Sequence, residues 1–252
     1  MKTLLYLLPV CLFMQTMPVP SFTPAGQGSI TVNKSFFRIG DQLITLEKYG
    51  KAVDHPFVFV SLHSDETSYI NAGLRMAQTQ KAFFIRLVNK QGRNVEADLF
   101  DRKLVFDPNS IFTTWGRRIH LKSNDCWSKA ADDYVQQFAR FVLNEMPGNK
   151  TIVMMHPGKP TLQSYQPGGP LEKMTKEIYV NPAMDADRFF ITADEDIFSQ
   201  LKESKYNAVL QHAKKMNDDG SLVVFCAKSA RPYIYMVANE GEEEMIAMLD
   251  GL

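Results

Sequence analysis

The sequence contains little cysteine and carries no net charge. Of its 252 residues only three are cysteines, and one of them, Cys11, lies in the N-terminal segment described below. The other two, Cys126 and Cys226, are too few for a disulfide framework or a cysteine-based metal cluster. The 28 basic and 28 acidic side chains cancel, so the chain lacks the overall positive field with which proteins attract nucleic acids. We therefore expect no nucleic-acid partner.

The common signatures of other enzyme classes are also absent. The sequence has no G-x-S-x-G elbow, no phosphate-binding P-loop, no G-x-G-x-x-G fingerprint and no H-E-x-x-H motif. It has no apolar run of the roughly 20 residues that a membrane-spanning helix needs. The shorter apolar run at residues 4–14 follows a single lysine and is typical of a secretory leader. We expect residues 1–25 to be removed on export, leaving residues 26–252 as one periplasmic or secreted domain without stable membrane insertion.

The spacing of apolar residues alternates between that of strands and that of helices. Residues 56–62 and 151–155 are continuous apolar runs, which are typical of strands buried on both faces. The alternation predicts a three-layer α/β/α fold with a mixed, mainly parallel sheet. Further strands are predicted at residues 29–33, 35–39, 42–48, 81–89, 102–107, 207–211, 221–226 and 232–237, and helices at 68–80, 127–146, 194–204 and 242–249.

Two of the predicted strands are followed by a histidine. His63-x-x-Glu66 comes directly after the strand at 56–62, and His156 directly after the strand at 151–155. In such sheets functional sites lie beyond the carboxyl ends of the strands. Two histidines and one glutamate with an open position form the ligand set of a catalytic zinc ion. The alternative is a structural histidine at a strand end beside an ordinary acidic residue in the first turn of a helix.

Taken together, His63-x-x-Glu66, Asp107-Pro108-Asn109 and His156 resemble a known family. They are similar to the M14 (carboxypeptidase A-like) zinc carboxypeptidases and their succinylglutamate desuccinylase and aspartoacylase-like relatives, over residues 56–250. The resemblance implies a zinc ion held by His63, Glu66 and His156. It also implies hydrolysis of an amide bond in a peptide or acyl-amino-acid substrate that has a free carboxylate.

The same resemblance implies roles for several polar residues. Asn109 corresponds to the asparagine of the Asn-Arg pair that binds the substrate carboxylate in that family. Ser110 stands here in place of the arginine, so that Arg117 or Arg118 would supply the positive charge. Arg93 corresponds to the arginine that polarises the carbonyl group of the bond to be cleaved.

The general base is the point on which two interpretations differ. In the first, Glu240, just after the strand at 232–237, is the base of an active hydrolase. In the second, Val237 occupies that position, and the chain is a catalytically impaired relative that acts as a binding protein. The Pro- and Gly-rich segment 157–182 follows His156, and we expect it to border the substrate cleft, with Tyr165 or Tyr179 reaching into it.

Overall fold

The computed structural model describes residues 30–51, 55–79, 82–99, 101–155, 157, 160–238 and 241–252. The predicted leader, His156 and Glu240 lie outside these residues, so what was expected of them stays a prediction. No helix within the described ranges is long and apolar enough to cross a membrane.

Eleven strands are present in the described part of the chain. They are β1 (Val32–Ile39), β2 (Gln42–Tyr49), β3 (Phe57–Ser61), β4 (Phe83–Val88), β5 (Val95–Leu99), β6 (Arg102–Phe106), β7 (Thr151–Met155), β8 (Thr175–Tyr179), β9 (Phe189–Thr192), β10 (Ala208–Gln211) and β11 (Tyr233–Val237).

Nine of these strands form one sheet, and β5 and β6 form a separate antiparallel pair. The order in the large sheet is β1-β2-β4-β3-β7-β11-β9-β10-β8. Its centre, from β4 to β11, is parallel, whereas β2 and β9 join this centre in the antiparallel direction. Six of the nine strands thus run the same way, which confirms the predicted mixed, mainly parallel sheet.

Six helices cover the sheet within the described residues. They are α1 (Thr67–Gln78), α2 (Thr114–Ser123), α3 (Lys129–Glu145), α4 (Glu195–Glu203), α5 (Leu222–Lys228) and α6 (Glu242–Asp250). Apolar residues of α1, α4 and α6 pack on one face of the sheet, and those of α2, α3 and α5 belong to the core on the other face. The two faces are filled because successive side chains of a strand point in opposite directions. The predicted three-layer arrangement is confirmed.

One predicted strand is wrong. Residues 221–226 belong to helix α5, which begins after Ser221, whose side chain accepts a hydrogen bond from the backbone N–H of Val224. A short apolar run is compatible with either a buried strand or a buried helix, and here the serine cap and the tertiary contacts favour the helix. The segment 157–182 also contains more structure than a loop, because it includes the edge strand β8.

Candidate functional site

The turn between β3 and α1 presents His63 and Glu66. His63 lies two residues beyond β3 and is only 1% exposed, and Glu66 immediately precedes α1 and is also buried. Ser64 fastens this turn to the end of β4, since its hydroxyl donates to Leu87 O and accepts from Asn89 N, at 3.1 and 2.8 Å. The turn that carries the two predicted metal ligands is therefore fixed to the neighbouring strand β4.

Two carboxylates contact the His63 ring, one at each nitrogen. Nδ1 lies 2.7 Å from Glu66 Oε1, and Nε2 lies 2.7 Å from Oδ1 of Asp107, the residue after β6. The exposed guanidinium of Arg93 donates to Glu66 Oε1 at 3.3 Å and lies 3.8 Å from Asp107 Oδ2. These four residues, His63, Glu66, Arg93 and Asp107, are called the His63 cluster below.

The carboxylates control the protonation of the histidine. Burial alone lowers the pKa of His63, but the hydrogen bonds and charges of Asp107 and Glu66 outweigh it and raise this pKa to about 9. Burial raises the pKa of Asp107, but the hydrogen bond and charge of His63 outweigh this effect, and the pKa of Asp107 lies below its ordinary value. Without a metal the ring is therefore an imidazolium that donates a hydrogen bond to each carboxylate.

The chemistry of the cluster fits part of a zinc site. Histidines that bind metals usually donate their other ring N–H to a carboxylate, which fixes the tautomer. The contact between Nε2 and Asp107 has this geometry, and Nδ1, next to Glu66 Oε1, is the ring nitrogen that could face a metal. Two of the three predicted ligands, His63 and Glu66, lie within the described residues. Within them no group of three or more His, Cys, Asp or Glu side chains is arranged so that it could hold a metal ion, and the predicted third ligand, His156, lies outside the described residues.

Asp107 is itself held by two further contacts. Its backbone N–H donates to Nε2 of His120 at 2.8 Å, and its Oδ1 accepts from the backbone N–H of Asn109 at 2.7 Å. His120 Nε2 must be unprotonated to accept this bond, and burial lowers the pKa of His120, which favours that state. No catalytic or metal-binding role was predicted from the sequence for Asp107 or His120. The available signal was that Asp107, like His63, follows an apolar strand.

A cavity of about 500 Å³ adjoins His63 on the face of the sheet that α5 covers. Most of its lining is apolar, and the hydroxyls of Tyr165 and Tyr235 make no hydrogen bond to any described residue. Burial raises the pKa of both phenols, that of Tyr165 to about 12, so both are protonated hydrogen-bond donors at neutral pH. The apolar lining consists of Val60, Leu62, Met154, Met155, Pro160, Leu171, Met174, Ile191, Met216, Leu222, Val223 and Val224.

The predicted substrate-binding residues are not all in one place. Asn109 and Tyr165 line the cavity, but Asn109 Oδ1 accepts the backbone N–H of Leu222 at 3.2 Å. Arg117 is buried and donates to Asp132 at 2.6 Å, and Arg118 donates to the same carboxylate at 2.9 Å. Neither arginine is among the residues that line the cavity.

Val237, one of the two candidates for the base position, lies in the core. Val237 is buried in an apolar cluster with Tyr165, Phe189 and Val209, and it is not among the residues that line the cavity. Its side chain is therefore part of the apolar core. Glu240 lies outside the described residues.

Comparison with known proteins gives only distant similarities. Neither a protein-family model nor a curated protein matches the chain. A provisionally assigned metallopeptidase from Shewanella denitrificans is 9% identical, with a TM-score of 0.41 over 87% of this chain and 80% of the other. An aspartoacylase family protein from Mesorhizobium loti is 11% identical, with a TM-score of 0.41 over 92% and 69%. The LapA aminopeptidase of Legionella pneumophila is 10% identical, with a TM-score of 0.38 over 87% and 56%. Similarities at this level assign neither a family nor an activity.

Proposed function

We propose that this chain is an exported zinc-dependent hydrolase that cleaves an amide bond in a peptide or acyl-amino acid. His63 Nδ1 and Glu66, with His156 as third ligand, would hold the metal. The observation that carries the proposal is the buried His63 ring, whose Nε2 is held by Asp107 while Nδ1 meets Glu66 at the wall of an apolar cavity. Zinc bound there would supply Lewis acidity at the carbonyl group to be cleaved.

The side chains of the cluster would divide the remaining tasks. Asp107 holds the His63 tautomer through Nε2, and Arg93 holds Glu66 while keeping part of its guanidinium in solvent. That exposed cation is suited to a substrate oxygen, either of the carbonyl or of a free carboxylate. The phenols of Tyr165 and Tyr235 would donate hydrogen bonds within the cavity. Glu240 would be the general base.

A binding protein without hydrolytic activity is the second candidate. One observation favours it, namely that the predicted carboxylate-binding residues are already occupied. Arg117 and Arg118 are both bound to Asp132, and Asn109 Oδ1 is bound to the backbone of α5. In this alternative the cavity holds an apolar ligand, and the His63 cluster is a charge network of which His63 lines the cavity.

Zinc binding separates the proposal from a metal-free site. We expect the purified chain, dialysed against zinc near neutral pH, to retain about one ion per molecule by mass spectrometry. His63→Ala should lower the zinc affinity by orders of magnitude, and Asp107→Asn by roughly 10-fold to 100-fold, since Asp107 only orients the ligand. His212→Ala, outside the cluster, is the matched control and should bind zinc normally. If the unmodified chain retains no zinc, the proposal is contradicted.

Turnover then separates the enzyme from the binding protein. A panel of peptides and N-acyl amino acids should include at least one that the zinc-loaded chain cleaves, and Glu240→Gln should reduce that rate by roughly 10²-fold to 10⁴-fold while zinc is retained. Zinc binding without cleavage of any member, together with ligand binding in the cavity, would favour the binding protein.

A further inference from the structure

Helix α2 and the turn after it present an exposed aromatic and basic surface. Trp115, Ile119 and Trp127 are 63%, 46% and 43% exposed. Trp115 and Trp127 are the only two tryptophans in the chain. Together with Arg118 and Lys122 they form what we call the α2 surface, which is made of Trp115, Arg118, Ile119, Lys122 and Trp127.

The arrangement follows from the helical spacing of α2. Gly116, Arg117 and Leu121 face inward and are buried, so Trp115 and Ile119, four residues apart, lie together on the outward side. Buried tryptophans are the usual case in soluble domains because the indole is large and apolar. Exposing both indoles and an isoleucine on one short segment leaves apolar area that no described element covers.

Helix α2 itself carries only positive side-chain charges, and the turn after it adds one exposed acidic residue, Asp125. The sequence of α2 is TWGRRIHLKS, with three Arg or Lys residues and no Asp or Glu. Lys122 Nζ lies 5.4 Å from the centre of the Trp127 ring and forms no ion pair within the described part of the chain. Arg118 keeps about half of its side chain in solvent although it donates to Asp132. The three basic residues of α2 outnumber Asp125 and the ion-paired Asp132 by one, so a local excess of one positive charge remains.

We infer that the α2 surface rests on an anionic lipid surface, with the indoles and Ile119 at the headgroup level and the cations against phosphate groups. Tryptophan is favoured at the membrane interface because its ring is apolar and its N–H is polar. Basic residues beside such rings are what interfacial segments use for anionic lipids. An acidic polypeptide would match the cations but would leave the two indoles without an apolar partner.

The helix that carries this surface packs, with its inward side, on a loop that borders the cavity. Gly116 packs directly on the backbone of Gly220, which lies between the cavity-lining residues Asp219 and Ser221. The hydroxyl of Thr113, at the start of α2, donates to Asp218. The inference does not depend on the proposed hydrolase activity.

Intrinsic fluorescence provides a direct test, because both tryptophans belong to the α2 surface. The full chain is titrated with vesicles of phosphatidylcholine that contain about one-third phosphatidylglycerol, and with pure phosphatidylcholine vesicles. We expect a blue shift of the tryptophan emission and quenching by brominated lipid with the anionic vesicles, both weakened by added salt. Quenching reports the depth of these two rings, so binding through any other segment does not produce it.

Surface variants show whether the α2 surface carries the binding. Ile119→Ser should weaken vesicle affinity by roughly threefold to tenfold, and Lys122→Glu by about tenfold because the charge at this position changes by two units, from positive to negative. Leu43→Ser replaces a comparably exposed apolar side chain, 52% exposed on β2, and should have no effect. Circular dichroism of each variant checks that the fold is kept.

Three results would overturn the inference. The first is the absence of a blue shift and of quenching with anionic vesicles. The second is an equal response to pure phosphatidylcholine, which would exclude a role for the cations. The third is a response to polyglutamate but not to vesicles, which would identify an acidic polypeptide as the occupant.

Discussion

At the scale of single residues, charge is buried only where it is compensated. His63 lies between two carboxylates, and Glu47 on β2 lies among three donors. Glu47 Oε1 pairs with Lys34 at 2.8 Å, and its Oε2 accepts from Arg86 at 2.6 Å and from Tyr49 at 2.5 Å. Isolated buried charges are strongly destabilising, whereas paired and hydrogen-bonded ones are tolerated.

The Glu47 contacts predict a dependence of stability on acid. Burial raises the pKa of Glu47, but Lys34, Tyr49 and Arg86 outweigh this and lower it from 4.5 to about 2. Because the folded-state pKa is below the unfolded one, this stabilisation is present above about pH 4.5 and is lost as the pH falls towards 2. We expect Glu47→Gln to flatten the fall in the free energy of unfolding across that window by at most about 3 kcal/mol.

Urea denaturation at a series of pH values measures this effect. Glu195→Gln is a suitable control, since Glu195 is exposed on α4 and pairs only at the surface. If the free energy of unfolding falls with pH in parallel for the unmodified protein and for Glu47→Gln, Glu47 is not the group responsible.

At the scale of elements, close backbone contact joins α2 to the loop that borders the cavity. Gly116 in α2 meets Gly220, and the carbonyl of Gly220 accepts from Phe112 N at 2.8 Å. Gly220 has a φ of +82°, a conformation that favours glycine. Asn109 adds a further contact, because its Oδ1 accepts a hydrogen bond from the backbone N–H of Leu222 at the start of α5. The position of the cavity wall therefore depends on glycines as much as on apolar packing.

This contact predicts an unusual response to a helix-favouring substitution. In an exposed helix interior, Gly→Ala stabilises by about 1 kcal/mol. Gly116→Ala should instead destabilise by roughly 2 kcal/mol or more, because the new methyl group would overlap the backbone of Gly220. Gly148→Ala, where a methyl group meets nothing nearby, should change stability by less than about 1 kcal/mol. Thermal unfolding of both variants measures these changes in stability, and a stabilised Gly116→Ala variant would refute the packing argument.

At the scale of the whole molecule, the two faces of the sheet are packed differently. The face covered by α1, α4 and α6 is filled by a continuous apolar cluster that includes Phe84, which is 0% exposed. The opposite face is filled by α3 but leaves the cavity between the sheet, α5 and the segment 160–174. The first face contributes to stability, and the second provides the binding space.

This asymmetry predicts where large-to-small substitutions are costly. Phe84→Ala should lower the free energy of unfolding by about 3–5 kcal/mol, because it opens a void in a closed core. Leu171→Ala, on the half-buried wall of the cavity, should cost roughly 1 kcal/mol, since it only enlarges an existing space. Denaturant titrations measure both losses of unfolding free energy, provided that the m-values are unchanged. Equal losses for the two variants would contradict the prediction.

Much of the fold could be predicted because its information is local. The apolar runs at 56–62, 151–155 and 232–237 are long enough to identify buried strands, and the helical stripe at 127–146 identifies α3. The run at 221–226 could not be assigned in this way, because its short length suits either structure and the cap at Ser221 was decisive. Helix α2 was missed because its outward face is apolar and its inward face includes a buried arginine, Arg117.

For the candidate site, sequence alone determined only what neighbours along the chain can decide. His63 and Glu66 are three residues apart at the start of a helix, so their contact follows from local geometry. The tertiary structure decided that Asp107, from a different strand pair, would meet the other nitrogen of His63, and that Asp132 would occupy Arg117 and Arg118. Such contacts join residues far apart in sequence, and which of several carboxylates a cation or an imidazole meets depends on the packing of whole elements.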